Sequence, residues 1–190
     1  MKNKSLLVLI TFALLSSCGF IVIVDGKWEN PDEFKVPPNT KPSELINTYL
    51  NNYEQNKLNN YCISFYVNGC GACLHQVPYC NQLYQETKDN YNWIAVTIDD
   101  SIKEDEFRKK MGYKDDYLKY DYPTYYDIEG LKSSLRNLYY NNKITEVDFV
   151  PMTFFITDDT IRYITDGSIN SKEKYDKHKR ILDSLALKVK

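Results

Sequence analysis

Residues 61–67, YCISFYV, are apolar on both alternating faces, and the tetrapeptide CGAC follows at 70–73. A strand with one wet face would alternate apolar and polar side chains. A strand with none belongs in the middle of a covered sheet. A second run of this kind, WIAVTI, occupies residues 93–98, and between the two Leu74, Val77, Leu83 and Tyr84 mark a helix. Buried strands joined by a crossing helix call for an α/β layer fold in which those strands run parallel.

The rest of the body extends this pattern. Pro42 stands where a first helical residue should. Leu45, Ile46, Tyr49, Leu50 and Tyr53 then continue at helical spacing, predicting a helix over roughly 42–57. Ser101 with Glu104 forms a capping box that opens a helix to about Met111. Asp99 and Asp100, just before it, read as turn residues rather than metal ligands. Residues 112–128 are rich in Tyr and Asp without a clean period, and EGLKSSLRNLYYNN is helical in pattern. MTFFIT and IRYIT read as two strands joined by a tight turn at Asp158-Asp159. A last helix from about Ser171 stacks Tyr175, His178, Leu182, Leu185 and Val189 on one face.

The first 24 residues have another character. MKNK is a short cationic lead, followed by the apolar LLVLITFALLSSC, which is the layout of a secretory signal peptide. Leu15-Ser16-Ser17-Cys18 resembles the lipobox of bacterial lipoproteins, a resemblance that implies lipidation of Cys18 after cleavage of the leader. The mature start, CGFIVIV, departs from that pattern by staying apolar. Leu6–Val24 could alternatively span a bilayer as a single N-terminal transmembrane anchor. A simple secreted protein is the third option. The first two readings hold the body at a membrane, and all three put it outside the cytoplasm. The chain divides into an anchor over 1–24, a Pro-containing charged tether over 25–41, and one folded domain over 42–190. A net charge of -2 offers no electrostatic case for nucleic acid.

Location bears on the cysteines. With Cys18 assigned to the anchor, Cys62, Cys70, Cys73 and Cys80 remain in the body, in a compartment where disulfides persist. A two-residue gap lets one helical turn bring the sulfurs of Cys70 and Cys73 together. If the strand ends near Val67, Cys70 falls at a helix N-terminus, where free N–H groups and the helix dipole favour a thiolate. Such a thiolate can attack a substrate disulfide, and Cys73 can resolve the mixed disulfide. Other readings stand beside this one. The pair can be a static bridge. With Cys62 and Cys80 it could supply four zinc ligands, although their spacings do not resemble paired zinc knuckles. Copper would need a remote histidine, for which His178 is the candidate. His178 otherwise reads as packing, while His75 is either an exposed helix residue or a group that tunes the thiols. Cys62 and Cys80 read as buried small residues, with a bridge between them left open.

From the strand, the CGAC and its helix onward, the chain resembles the thioredoxin superfamily over about residues 42–190. Pro78, five residues after Cys73, stands where many members kink the active-site helix. Val150-Pro151-Met152-Thr153 before FFIT resembles the family's cis-proline loop, and a strand hairpin, Gly167 and a terminal helix follow in the family's order. The resemblance implies an α/β, thioredoxin-like three-layer fold with a central mixed sheet, helices on both faces and an insert before the cis-proline strand. It implies a thiol–disulfide oxidoreductase acting on protein thiols or disulfides, with Cys70 and Cys73 catalytic, Val150 and Pro151 shaping the substrate groove, and no cofactor or metal. The long spacing to Pro151 suits the membrane-tethered extracytoplasmic branch, which is mostly reducing and would draw on a membrane electron donor. Tyr122-Pro123-Thr124 is a rival for the cis proline. Three positions depart from the pattern: Asn68-Gly69 replaces an aromatic before the first cysteine, Gln76 replaces a glutamate common in reductases, and Ser64 replaces a buried acid or amide. The alternative function is a non-catalytic binding or accessory lipoprotein that keeps the shape around a structural Cys70–Cys73 disulfide. The Tyr-rich insert can serve as a partner surface or cover the sheet edge.

Overall fold

The computed structural model describes residues 31–50, 59–67, 69–99, 101–110, 119–126, 128–143 and 150–186. Cys18, the leader and the first part of the tether lie outside these residues, as do the expected helix extension over 51–58, Asn68, Asp100, part of the Tyr-rich insert, and Val189. The capping box also rests on Glu104, whose side chain is not described. Among the described residues no helix is long and apolar enough to cross a membrane.

Among the described residues five strands form one mixed sheet: β1 (Tyr61–Tyr66), β2 (Asn92–Thr97), β3 (Thr124–Tyr125), β4 (Met152–Thr157) and β5 (Thr160–Asp166). Their order is β3-β2-β1-β4-β5. β1 pairs parallel to β2 and antiparallel to β4, and β4 turns back into β5. The helices are α1 (Pro42–Tyr49), α2 (Gly71–Thr87), α3 (Ser101–Lys110), α4 (Leu131–Tyr139) and α5 (Lys172–Ala186). The strands and helices fall close to where the apolar runs place them, and the result is the α/β, thioredoxin-like arrangement. β3 is the exception: two residues long, it has no alternation to betray it and exists through its pairing with Ala95 and Val96.

The alternation of β1 sorts the core into two layers. Tyr61, Ile63 and Phe65 face one way and pack with Ile46, Leu50, Leu131 and Leu135 of the α1–α4 side. Cys62 and Tyr66 face the other way and pack with Cys73, Cys80, Leu83, Tyr175 and Leu182 of α2 and α5. All six residues of β1 are buried, as a mid-sheet strand requires. Asp158 and Asp159 carry φ of 50° and 55°, the paired positive values of a two-residue hairpin turn. Asp159 also accepts from Ser43 through its backbone N–H (2.9 Å) and its hydroxyl (2.8 Å), fixing the start of α1 to that turn.

From Pro31 to Val36 the lead-in is packed against the domain. A short 3-10 turn, Pro31–Phe34, is followed by Val36, which is buried and exchanges two hydrogen bonds with the Asn142 side chain (3.1 and 3.0 Å). Asn137 of α4 donates to the Phe34 carbonyl at 2.9 Å. The Phe34 ring lies so near Gly130 that a Cβ there would stand 2.5 Å from Phe34 Cε1. These bonds cross more than a hundred residues, which is why local composition does not announce them.

Candidate active site

β1, in the middle of the sheet, ends at Tyr66, and the turn to α2 passes through Gly69 at φ 78°, a conformation that suits glycine. Cys70 then caps α2 from an extended conformation (φ -79°, ψ 96°). Its carbonyl accepts from the N–H of Cys73 (3.0 Å) and of Leu74 (3.1 Å), and the Cys73 N–H also points at Cys70 Sγ at 3.1 Å. Sulfur thus takes the place that a serine or aspartate oxygen occupies at most helix starts. A disulfide joins Cys70 to Cys73 across a Cα–Cα distance of 5.2 Å. Cys70 retains 8% of its surface in solvent and Cys73 2%, so the pair is mostly covered and its outer sulfur belongs to Cys70. Pro78 lies inside α2, which continues past it to Thr87.

The peptide between Val150 and Pro151 is cis, and Tyr122–Pro123 is not among the cis bonds of the described residues. The Val150 carbonyl lies 4.0 Å from Cys70 Sγ. With both sulfurs in the disulfide this is a contact, since neither carries a proton. Pro151 is buried, and its carbonyl accepts from the N–H of Gly167 at 3.1 Å, tying the loop to the end of β5. Pro123 serves the sheet instead, its carbonyl accepting from the N–H of Ala95 where β3 begins.

A group of buried hydroxyls joins β1, β4 and the segment before β3. Ser64 Oγ lies 3.2 Å from Thr153 Oγ1, and Tyr122 donates to Ser64 at 3.4 Å. Burial holds the Tyr122 hydroxyl well above its ordinary range, so these groups stay neutral around pH 7. Gln76, one turn after Cys73, is fully buried and donates through Nε2 to the Tyr120 hydroxyl at 3.0 Å. Tyr120 in turn stacks against Tyr66 (5.3 Å between centroids) and Tyr122 (5.0 Å). Tyr120, Tyr122 and Thr153 did not stand out in the sequence as partners of Gln76 and Ser64. The signal that finds them is the pairing of β3 and β4 with the centre of the sheet, which local pattern does not carry.

Cys62 and Cys80 are free thiols, so the bridge left open between them is not formed. Burial pushes Cys62 well above the ordinary thiol range, with Cys80 beside it adding to the rise. Burial pushes Cys80 up to about 12, against hydrogen bonds with Tyr122 and Ser64 that pull it down. Both are inert packing residues on these grounds. Among the described residues no cluster of three or more His, Cys, Asp or Glu could hold a metal ion. His75 is exposed on α2. His178 is buried between the rings of Phe155 (6.0 Å) and Tyr163 (5.9 Å), in a packing position. Asp99 caps its own turn against Thr97, whose hydroxyl accepts from the Asp99 N–H at 3.1 Å.

No family model matches the chain, and no curated protein matches it either. Solved structures of similar shape include a thioredoxin family thiol:disulfide interchange protein from Chlorobium tepidum, at 14% identity and TM-score 0.48, covering 67% of this chain and 79% of that one. A secreted disulfide oxidoreductase from Mycobacterium tuberculosis has 12% identity and TM-score 0.45, covering 67% and 82%. StoA from Bacillus subtilis has 16% identity and TM-score 0.43, covering 66% and 83%.

Proposed function

We propose that this protein is a thiol–disulfide oxidoreductase that exchanges disulfides with protein substrates through Cys70 and Cys73. The observation that carries the reading is the position of the pair: Cys70, the more exposed sulfur, caps α2 with the Cys73 N–H aimed at its Sγ from 3.1 Å. In the reduced protein that N–H and the helix dipole stabilise negative charge on Cys70. The thiolate attacks one sulfur of a substrate disulfide, the substrate S–S bond breaks, and one substrate thiolate leaves. Cys73, as thiolate, then attacks Cys70 Sγ, forming the Cys70–Cys73 bond and releasing the second substrate thiolate. Two electrons pass from protein to substrate, and the sulfurs carry them without a cofactor. Val150 and Pro151, beside Cys70, shape the groove in which the substrate segment lies. The reverse sequence is oxidation.

We assign the reducing direction on the resemblance to the extracytoplasmic reductase branch, with a membrane electron donor restoring the dithiol. The leader and Cys18 support a lipid-anchored body on the outer face of a membrane, with a single transmembrane anchor as the other arrangement. The experiment is insulin-disulfide reduction by the full chain in detergent micelles, with dithiothreitol as donor. Turnover that disappears in Cys70→Ser supports the reading. No turnover, together with a pair potential below about -300 mV, where static bridges lie, overturns it in favour of the accessory lipoprotein.

A further inference from the structure

We propose that Gln76 is a positioning residue that reads the oxidation state of the pair, its Oε1 accepting a hydrogen bond from the Cys73 S–H when the disulfide opens. The inference rests on the redox reading of Cys70 and Cys73 and adds to it a determinant of their equilibrium.

Three observations meet at this side chain. Gln76 is fully buried, and with the disulfide closed its Oε1 has no hydrogen-bond partner among the described residues. A buried carbonyl oxygen without a donor is an uncommon and unfavourable arrangement, because it has given up its water and gained nothing. Its Nε2 is held by the Tyr120 hydroxyl at 3.0 Å, so the amide is fixed rather than free to turn toward another donor. Tyr120 is itself wedged between Tyr66 and Tyr122. The third observation is the spacing. Cys73 and Gln76 are three residues apart on the inner face of α2, and both are buried. Side chains at that spacing lie on one helix face, and each leans toward the N-terminal turn, which carries Gln76 back over Cys73.

In the disulfide Cys73 has no proton to offer. Reduction by two equivalents of a thiol such as glutathione breaks the S–S bond, moves two electrons onto the pair and yields one molecule of glutathione disulfide. Of the two glutathione thiol protons one goes to Cys73, deeper and drier, and the other to solvent, which leaves Cys70, at the helix start, with the negative charge. That S–H is the donor the Gln76 carbonyl lacks. The hydrogen bond exists only in the reduced form, so Gln76 stabilises the dithiol over the disulfide. An amide does not ionise, so the effect is on equilibrium and not a proton relay.

The test compares wild type, Gln76→Leu and Tyr120→Phe in glutathione redox buffers, with thermal unfolding of each form measured alongside. Gln76→Leu should move the equilibrium about tenfold toward the disulfide, about 30 mV for a two-electron couple. Its reduced form should lose more in Tm than its oxidised form, a difference that a purely structural role would not produce. Tyr120→Phe, which frees the amide, should move the equilibrium the same way by a smaller factor. In the wild-type protein the side-chain carbonyl carbon resonance of Gln76 should shift on reduction, a readout that needs no variant to fold. The inference is overturned if Gln76→Leu leaves the equilibrium within twofold, if it lowers both forms equally, or if the resonance stays in place. A wild-type pair that glutathione does not reduce and that does not turn over insulin would instead remove the redox reading itself.

Discussion

Opening the Cys70–Cys73 disulfide should change folding stability by little, and in favour of the reduced protein. The bridge closes a loop of only four residues, 70 to 73. On the chain-entropy model such a loop restrains the unfolded chain by about 1.9 kcal/mol, far less than a long-range bridge would. Reduction gives this up. In exchange the Cys70 thiolate accepts a charge-assisted hydrogen bond from the Cys73 N–H, now at 3.1 Å from its sulfur, worth about 1.5–3 kcal/mol. The positive end of α2 adds about 0.3–1 kcal/mol. The two gains come to roughly 2–4 kcal/mol, so the reduced form is level with the oxidised one or about 2 kcal/mol more stable. By linkage that difference lifts the pair's potential above that of the same dithiol in an unfolded chain, by as much as about 40 mV. The assay is urea unfolding followed by far-UV circular dichroism at pH 7.5, with and without reductant. An oxidised form more stable by 2 kcal/mol or more would refute the reasoning, because native staples commonly contribute about 2–5 kcal/mol.

Gly130→Ala should cost about 2–4 kcal/mol in urea unfolding, because a Cβ at φ 84° would stand 2.5 Å from the Phe34 ring and meet the packed lead-in; a loss below 1 kcal/mol would mean that this segment is not held as described. Burial is the main cause lowering His178 below 6.5, with Lys177 and Lys174 adding to it and the Lys174 carbonyl opposing. The fold therefore prefers the neutral ring, so its contribution is full above pH 6.5 and is lost as pH falls through the lowered folded value; Tm measured from pH 7.5 to 5.5 should decline, and His178→Phe should flatten the decline. Glu86 is held at about 2 rather than 4.5, first by Lys179 and then by the Tyr175 hydroxyl at 2.6 Å. This clamp between α2 and α5 contributes above pH 4.5 and is lost between 4.5 and 2, and Glu86→Gln should remove that acid step. The pair is partly exposed, so the loss at neutral pH should be no more than about 1 kcal/mol.

What could be read in the sequence and what could not divide along one physical line. β1, β2 and β4 were legible because a covered strand must be apolar on both faces, and β5 because it follows the Asp158-Asp159 turn, where few residues accept two successive positive φ values. The CGAC at a helix start and Val150–Pro151 were legible because each is a local arrangement of a few residues. β3 was not, since a two-residue strand is defined by its backbone partners, and neither was the docking of Phe34 and Val36 against α4. The same line runs through the site. The N–H aimed at Cys70 Sγ comes from three residues away, so sequence suffices to propose the nucleophile. Other buried groups of this layer are held by side chains remote in sequence: Gln76 by Tyr120, 44 residues on, and Ser64 by Thr153, 89 residues on. On the proposed function, nucleophilicity is a local property, whereas the balance between dithiol and disulfide depends through Gln76 on tertiary contacts. On that reading substitutions at Gln76 or Tyr120 should shift the redox equilibrium without removing exchange, and the direction of the reaction is to be sought there and not within the CGAC itself.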